Sequence, residues 1–221
     1  MSCAEPLDLD ALRARYLAAL LAGQRREALR LVLEEGLGRG ASALDVHVGV
    51  IQEAQRELGR LWEENTVSVA QEHLASAISS TALAHIYDRA PRAASNGRKV
   101  VVACVEGEQH DLPARLVADA LDLAGFEVRF LGASVPLDHL LRLLLDERPD
   151  LLALSVTMAF NVPAVRAAVA RVRAAFPGLP VFVGGNACVW LRGLVQELAV
   201  STGRDAREVV AAARAATGVA A

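Results

Sequence analysis

A glutamate and a histidine, Glu108 and His110, lie just after a run of apolar residues at 99–105. Such a run predicts a buried strand of a parallel sheet, and open α/β sheets bind ligands beyond the carboxyl ends of their strands. A neutral imidazole that is hydrogen-bonded to a neighbouring carboxylate is a good metal donor. We therefore predict that His110 is a metal ligand with Glu108 as its acceptor, and we assign Asp111 to the same ligand site.

Two further strand ends carry hydroxyl groups and glycines. Ser155 and Thr157 follow the apolar residues 151–154, and Gly184 and Gly185 follow the apolar residues 181–183. Because the strands of a parallel sheet end at the same edge, we expect all three strand ends to converge on one rim.

The combined pattern resembles the cobalamin-binding fold of the methionine synthase type, in which acid-x-His-x-x-Gly is followed by Ser-x-Thr and then by Gly-Gly. The resemblance implies that His110 replaces the cofactor's own benzimidazole as the lower cobalt ligand. It also implies that the displaced nucleotide tail lies in a slot lined by Ser155, Gly184 and Gly185, since a flat heterocycle beside a sheet edge needs small side chains. Pro113 stands where the motif has its last glycine, and we expect it to weaken or tilt corrin binding before it abolishes it.

The N-terminal half carries a second pattern, in which Trp62 is followed after nine residues by Glu72 and His73. This spacing resembles the Trp-x9-Glu-His signature of the light-sensing, CarH-like cobalamin proteins. The resemblance implies that the tryptophan packs over an adenosyl group carried by cobalt, that the glutamate hydrogen-bonds this group, and that the helices act as a lid. Glu63 stands where those photoreceptors have the histidine that ligates cobalt after illumination, so a second imidazole ligand from that position is excluded.

Hydrophobic periodicity predicts four helices between Asp8 and about Ala90, followed by alternating strands and helices from Arg98 onward. Such alternation predicts a parallel, doubly wound sheet. The predicted class is α/β, with an N-terminal four-helix bundle before a Rossmann-like, flavodoxin-type cobalamin-binding domain. We expect a helical cap domain at 1–91, a linker at 92–97 and the cofactor domain at 98–221.

The element boundaries follow from the same patterns. The third predicted helix covers 42–64, and the fourth starts at a capping box formed by Ser68 and Gln71. The predicted strands cover 99–105, 127–131, 150–156 and 180–184, the helices of the second domain cover 112–125, 136–146, 162–175 and 204–216, and residues 198–200 are a candidate fifth strand.

Composition restricts the classes of function. With a formal net charge of −3 and a pI near 6.0, the chain has no basic surface for nucleic acid. Its three cysteines lack paired spacing, which is typical of reduced thiols in a cytosol. Neither a signal peptide nor an apolar stretch of about 18 residues is present, so we predict a soluble, cytoplasmic protein without membrane contact. CarH-like repressors begin with a MerR-type helix-turn-helix domain, whereas this sequence starts close to its first helix; we expect output through a protein partner.

Single residues in these patterns also have structural interpretations. A lone histidine at a strand end or a lone tryptophan in a helix is more often structural than ligand-binding. The matching Ser155 and Gly184 favour the ligand role for His110. The other histidines outside both motifs, which are His47, His85 and His139, have no partner pattern and are predicted to be surface or core residues.

Three functions are compatible with the sequence. The first is a sensor that uses adenosylcobalamin as a chromophore, acts on a transcriptional or signalling protein, and forms homo-oligomers that change with light. The second is a corrinoid carrier for a methyltransferase system, and the third is a cofactor store. Trp62 and Glu72 favour the sensor and the adenosyl form over methylcobalamin or hydroxocobalamin, because a methyl carrier needs an accessible upper face. We expect no enzymatic activity of the chain itself unless it is a methyltransferase component.

Overall fold

The computed structural model describes residues 7–191 and 205–220 and divides the chain into two compact units, with the boundary after Pro91. Within these residues the first unit is helical, and the second contains a four-stranded parallel sheet flanked by helices. This confirms the predicted α/β class with a helical N-terminal region. Within the described residues, no helix combines the length and the apolar character that a membrane span requires.

Among its described residues, the helical unit contains five α-helices and two π-helical stretches that adjoin them. The α-helices are α1 (Leu9–Leu21), α2 (Arg25–Arg30), α3 (Ala43–Asp45), α4 (Glu53–Glu63) and α5 (Val69–Arg89). The π-helical stretch Leu31–Gly36 extends α2, and the π-helical stretch Val46–Gln52 joins α3 to α4. The predicted third helix at 42–64 is therefore continuous but contains a π-helical section. Helix α5 begins at the predicted capping box, in which Ser68 and Gln71 satisfy each other's backbone amides.

The interior of the helical unit contains a histidine. His47 lies in the π-helical stretch between α3 and α4, is fully buried, and has no hydrogen-bond partner at either ring nitrogen. Burial lowers the pKa of this imidazole from 6.5 to about 4, because a charged ring loses its hydration there. His47 is therefore a neutral core residue at neutral pH.

Replacing His47 with leucine is expected to stabilise the helical unit, because it removes two buried polar atoms that lack partners. The increase in the free energy of unfolding should be larger at acidic pH. The unfolded chain protonates His47 below pH 6.5, whereas the folded unit does so only near pH 4. The wild type therefore loses stability as the pH falls through this window, by about 2 kcal/mol at pH 5. Urea unfolding across the window measures the effect.

The matched control is His85→Leu, because His85 is exposed on α5 of the same unit. This control should keep the wild-type pH dependence. If both variants weaken the pH dependence of stability equally, the burial of His47 is not the cause of this dependence.

The second unit alternates strands and helices in the predicted order. Its strands are β1 (Lys99–Cys104), β2 (Glu127–Phe130), β3 (Leu151–Ser155) and β4 (Val181–Gly184), and its helices are α6 (Leu112–Leu123), α7 (Leu137–Glu147), α8 (Val162–Ala175) and α9 (Ala206–Thr217). The predicted ends differ from these bounds by at most two residues. The candidate strand at 198–200 lies outside the described residues.

The sheet order brings three strand ends together. All four strands are parallel, in the order β2-β1-β3-β4, which is the start of the flavodoxin-like order. Alternate residues of β1, β3 and β4 enter two apolar cores, one beneath α7 and α8 and the other beneath α6 and α9. The register pairs Cys104 with Ser155 and Ser155 with Gly184. The loops that follow β1, β3 and β4 therefore lie side by side at the carboxyl edge.

Candidate functional site

The loop after β1 contains a buried carboxylate. Glu108 is fully buried and accepts five hydrogen bonds. The donors are the backbone amide and Nδ1 of His110, the amides of Thr157 and Met158, and the side-chain amide of Asn161, at 2.6 to 3.0 Å. Burial alone would raise the pKa of Glu108, but the hydrogen bonds from His110, Met158 and Asn161 outweigh it and lower the pKa to about 2. The carboxylate is therefore ionised at neutral pH.

The ionised Glu108 determines the tautomer of the His110 ring. Nδ1 of His110 lies 2.6 Å from Oε1 of Glu108, and a carboxylate can only accept a hydrogen bond. In the neutral imidazole, Nδ1 therefore carries the proton, and Nε2 carries the lone pair that metal binding requires. The His110 side chain is 39% exposed, so its ring reaches the surface at the sheet edge. A carboxylate in this position also raises the basicity of a ligating ring.

A cleft lies beside the same strand ends, against helices α6 and α9. Ser155, Gly184 and Gly185 line it, so the structure brings the second and third sequence motifs to one place. Pro113 lines it as well. This proline lies in the first turn of α6, where its missing N–H removes no helical hydrogen bond.

The two glycines contribute to the cleft in different ways. A β-carbon added to Gly184 would meet no atom within 4 Å, so a side chain there would extend into the space of the cleft. Gly185 has a φ of 105°, and a β-carbon there would lie 2.1 Å from the carbonyl oxygen of Val156. Gly184 therefore keeps the cleft open, whereas the backbone itself requires glycine at Gly185.

Two buried hydroxyl groups stand at the end of β3. The hydroxyl of Ser155 has no hydrogen-bond partner stronger than the nearby thiol of Cys104, and the hydroxyl of Thr157 has none. Burial raises the pKa of the Cys104 thiol to about 12, so this group stays protonated and unreactive. A buried hydroxyl without a strong partner costs free energy. The hydroxyl of Ser155, together with the open edge at Gly184, fits a planar ligand that supplies hydrogen-bonding atoms, whereas Thr157 does not line the cleft.

Two residues differ from what the motifs indicate. Asp111 directly precedes α6, but it does not line the cleft, and its carboxylate lies near Gly132. Asn161 directly precedes α8, a position where asparagine usually caps a helix. Its side chain instead donates to Glu108, which is 53 residues away in sequence. Asn161 therefore has no local sequence signature as a site residue.

Trp62, Glu72 and His73 flank the connection between α4 and α5. Trp62 lies in the last turn of α4, Glu72 lies in the first turn of α5, and residues 64–68 connect the helices. The carboxylate of Glu72 lies 2.6 Å from Nδ1 of His73 and 2.6 Å from the hydroxyl of Ser76. The Glu72 side chain is 18% exposed and that of His73 is 70% exposed. The helical unit thus presents a fixed carboxylate and an indole at one end.

Comparison with known protein families identifies the class of ligand. Residues 98–212, which contain the strand ends and the cleft, match the family described as B12 binding domain, and residues 12–87 match a second family of the same description. The chain belongs to the B12-binding family. Its cofactor class is therefore cobalamin, in agreement with the resemblance seen in the motifs.

Several characterised family members are similar to this chain. The transcriptional repressor CarH of Myxococcus xanthus is 35% identical over 145 residues, which are 65% of this chain and 48% of CarH. The repressor CarA of the same organism is 31% identical over 82% of this chain and 60% of CarA. Dimethylamine corrinoid protein 1 of Methanosarcina acetivorans is 24% identical over 61% of this chain and 58% of that protein. The chain thus spans about half to three fifths of the length of these relatives.

Solved structures with this fold include two from Methanosarcina barkeri. The monomethylamine corrinoid protein has a TM-score of 0.79 at 18% identity and covers 96% of this chain and 100% of its own. The methanol:cobalamin methyltransferase complex MtaBC has a TM-score of 0.52 at 19% identity, covering 96% of this chain and 81% of that chain. At these identities the likeness establishes the fold.

Proposed function

We propose that Nε2 of His110 is the lower cobalt ligand and that the nucleotide tail of cobalamin lies in the cleft lined by Ser155 and Gly184. The ionised Glu108 supports the first part, because it holds the ring in the tautomer of a metal ligand. The hydroxyl of Ser155 and the open edge at Gly184 support the second part. A planar heterocycle with ring nitrogens would satisfy the hydroxyl and would fit where no side chain projects.

We further propose that the chain is a light-responsive sensor that carries adenosylcobalamin. The observation that carries this proposal is the Glu72 carboxylate, which is held by Ser76 and His73 in the first turn of α5, across the short connection from Trp62 in the last turn of α4. A fixed carboxylate accepts hydrogen bonds from ribose hydroxyls or an adenine amino group, whereas a methyl ligand offers no donor. The indole of Trp62 adds a flat apolar surface for the nucleoside. The 35% identity with the CarH repressor also supports this function.

When bound, adenosylcobalamin supplies a cobalt–carbon bond that light can break. Glu72 and Trp62 can contact the adenosyl group only while it is attached, so their contacts differ between the dark and the illuminated protein. Such differential contact is what shifts a conformational equilibrium. We propose that the shift alters self-association or the binding of a transcriptional or signalling protein. The net charge of −3 does not favour direct binding to nucleic acid.

The second candidate is a corrinoid carrier for a methyltransferase system. Similarity to dimethylamine corrinoid proteins of two Methanosarcina species favours it. A carrier uses the same lower ligand, His110, but it needs no contacts to an adenosyl group. The two candidates therefore differ in the role of Trp62 and Glu72.

Substitution of Trp62 tests the sensor against the carrier. In the sensor, Trp62→Ala should weaken binding of adenosylcobalamin in the dark by roughly tenfold, the value of one aromatic stacking contact with its buried area. Binding of methylcobalamin should change little, and green light should change the spectrum and the molar mass of the wild-type adenosylcobalamin complex. Spectral titration and light scattering measure these quantities. An affinity of Trp62→Ala for adenosylcobalamin equal to that of the wild type, with no light-dependent change in the mass of the wild-type complex, would favour the carrier.

A further inference from the structure

A chain of hydrogen-bonding side chains runs from Glu72 into the interior of the helical unit. Oε1 of Glu72 accepts from the hydroxyl of Ser76 at 2.6 Å. The same hydroxyl lies 3.2 Å from the side-chain amide of Gln55 on α4, and it accepts there, because its single proton is donated to Glu72. The other end of the Gln55 amide lies 2.7 Å from the hydroxyl of Ser79, and this hydroxyl lies 2.9 Å from the phenol oxygen of Tyr16 on α1. Polar atoms thus connect three helices.

Stability alone does not account for this row of hydrogen-bonding side chains. Tyr16 and Ser79 are fully buried, and Ser76 and Gln55 are half-buried. Buried polar groups cost free energy unless they are hydrogen-bonded, and apolar groups of the same shape can often replace such pairs without loss of stability. The row of polar side chains nevertheless continues from the apolar interior to the carboxylate of Glu72.

The row of hydrogen-bonding side chains involves the same face of α4 as Trp62. Gln55 precedes Trp62 by seven residues on the regular helix α4, which is close to two full turns, or about 10.5 Å along the axis. Gln55 and Trp62 therefore share one face of α4. The contacts of Gln55 with Ser76 and Ser79 show that this face of α4 lies toward α5. The polar side chains therefore follow the line where α4 meets α5, on the face of α4 that also carries Trp62 two turns further along.

We propose that Ser76 and Gln55 are positioning residues that set the preference of the helical unit for adenosylcobalamin over methylcobalamin. Ser76 holds the carboxylate of Glu72 in one orientation, and Gln55, anchored by Ser79, supports Ser76. A glutamate without these contacts would sample several rotamers, and the entropy cost of fixing it would reduce the affinity for the adenosyl group. The inference rests on the proposed contact between Glu72 and the adenosyl group, and it names two residues that act through Glu72.

The ratio of the dissociation constants of methylcobalamin and adenosylcobalamin, measured in the dark by spectral titration, tests this. Both forms share the lower side of the cofactor, so the ratio reports the upper ligand. We expect Ser76→Ala to lower the ratio roughly tenfold, the size of one hydrogen bond to a charged group. Ser76→Thr keeps the hydroxyl and should keep the ratio, whereas Gln55→Leu should lower it. Ser80→Ala is the matched control, because the Ser80 hydroxyl bonds to the backbone carbonyl of Ser76.

A Glu72→Gln variant separates the inference from the proposal on which it rests. If Glu72→Gln lowers the ratio but Ser76→Ala and Gln55→Leu do not, the positioning role is overturned and the contact of Glu72 with the adenosyl group stands. If Glu72→Gln leaves the ratio unchanged, the contact itself is refuted, and the positioning role with it. An equal loss of affinity for both cobalamin forms in Ser76→Ala would indicate a structural role only and would also overturn the inference.

Discussion

Replacing His110 with alanine is expected to abolish the absorption spectrum of imidazole-ligated cobalamin and to weaken cobalamin binding by at least about 100-fold. Removal of a residue that merely supports a metal ligand already costs 10- to 100-fold in affinity, and loss of the donor nitrogen should cost more. The Glu108–His110 hydrogen bond of 2.6 Å fixes the ring before the cofactor arrives. A donor atom on a side chain that is free to rotate would therefore not restore the affinity for cobalamin. Spectral titration and equilibrium dialysis measure the two quantities.

Two further variants, which should lose less affinity for cobalamin or none, are the comparisons for this experiment. Glu108→Gln keeps the shape of the side chain but replaces an acceptor oxygen with a donor, which faces the amides of Thr157 and Met158 or the ring of His110. We expect it to bind cobalamin 10- to 100-fold more weakly than the wild type. His139→Ala, an exposed position on α7, should bind normally. Wild-type affinity and an unchanged spectrum in His110→Ala would contradict the ligand assignment.

The rim of the site could be predicted from the sequence because it depends on short-range patterns. The apolar runs at 99–105, 151–154 and 181–183 define parallel strands, and a parallel sheet necessarily ends them at one edge. The residues that follow each run are therefore placed without knowledge of side-chain packing. The structure adds the strand register, which pairs Cys104 with Ser155 and Ser155 with Gly184.

The supporting contacts could not be predicted in this way because they join distant segments. Asn161 reaches Glu108 across 53 residues, and Gln55 reaches Ser76 across 21. Asparagine before a helix and glutamine within one both have common local explanations, as a cap and as a solvated side chain. Such features depend on tertiary packing.

Gly184→Val and Gly185→Ala are expected to fail for different reasons, although the two glycines are adjacent. Valine at 184 should leave the cofactor-free protein folded, because its β-carbon meets no atom within 4 Å, but its side chain would occupy the cleft and lower cobalamin affinity roughly 10- to 100-fold. Alanine at 185 would place a carbon 2.1 Å from the Val156 carbonyl oxygen at a φ of 105°. We expect it to destabilise the cofactor-free protein by about 2 kcal/mol or more.

Urea unfolding of the cofactor-free variants and spectral titration of the same samples test both expectations. Gly178→Val is the matched control for valine, because Gly178 also has open space around its β-position and does not line the cleft. Comparison with His110→Ala separates two parts of the proposed site. If Gly184→Val binds cobalamin as tightly as the wild type while His110→Ala does not, the imidazole ligates cobalt but the nucleotide tail lies elsewhere. If both lose affinity and Gly184→Val keeps its stability, the cleft and the imidazole hold opposite ends of one ligand.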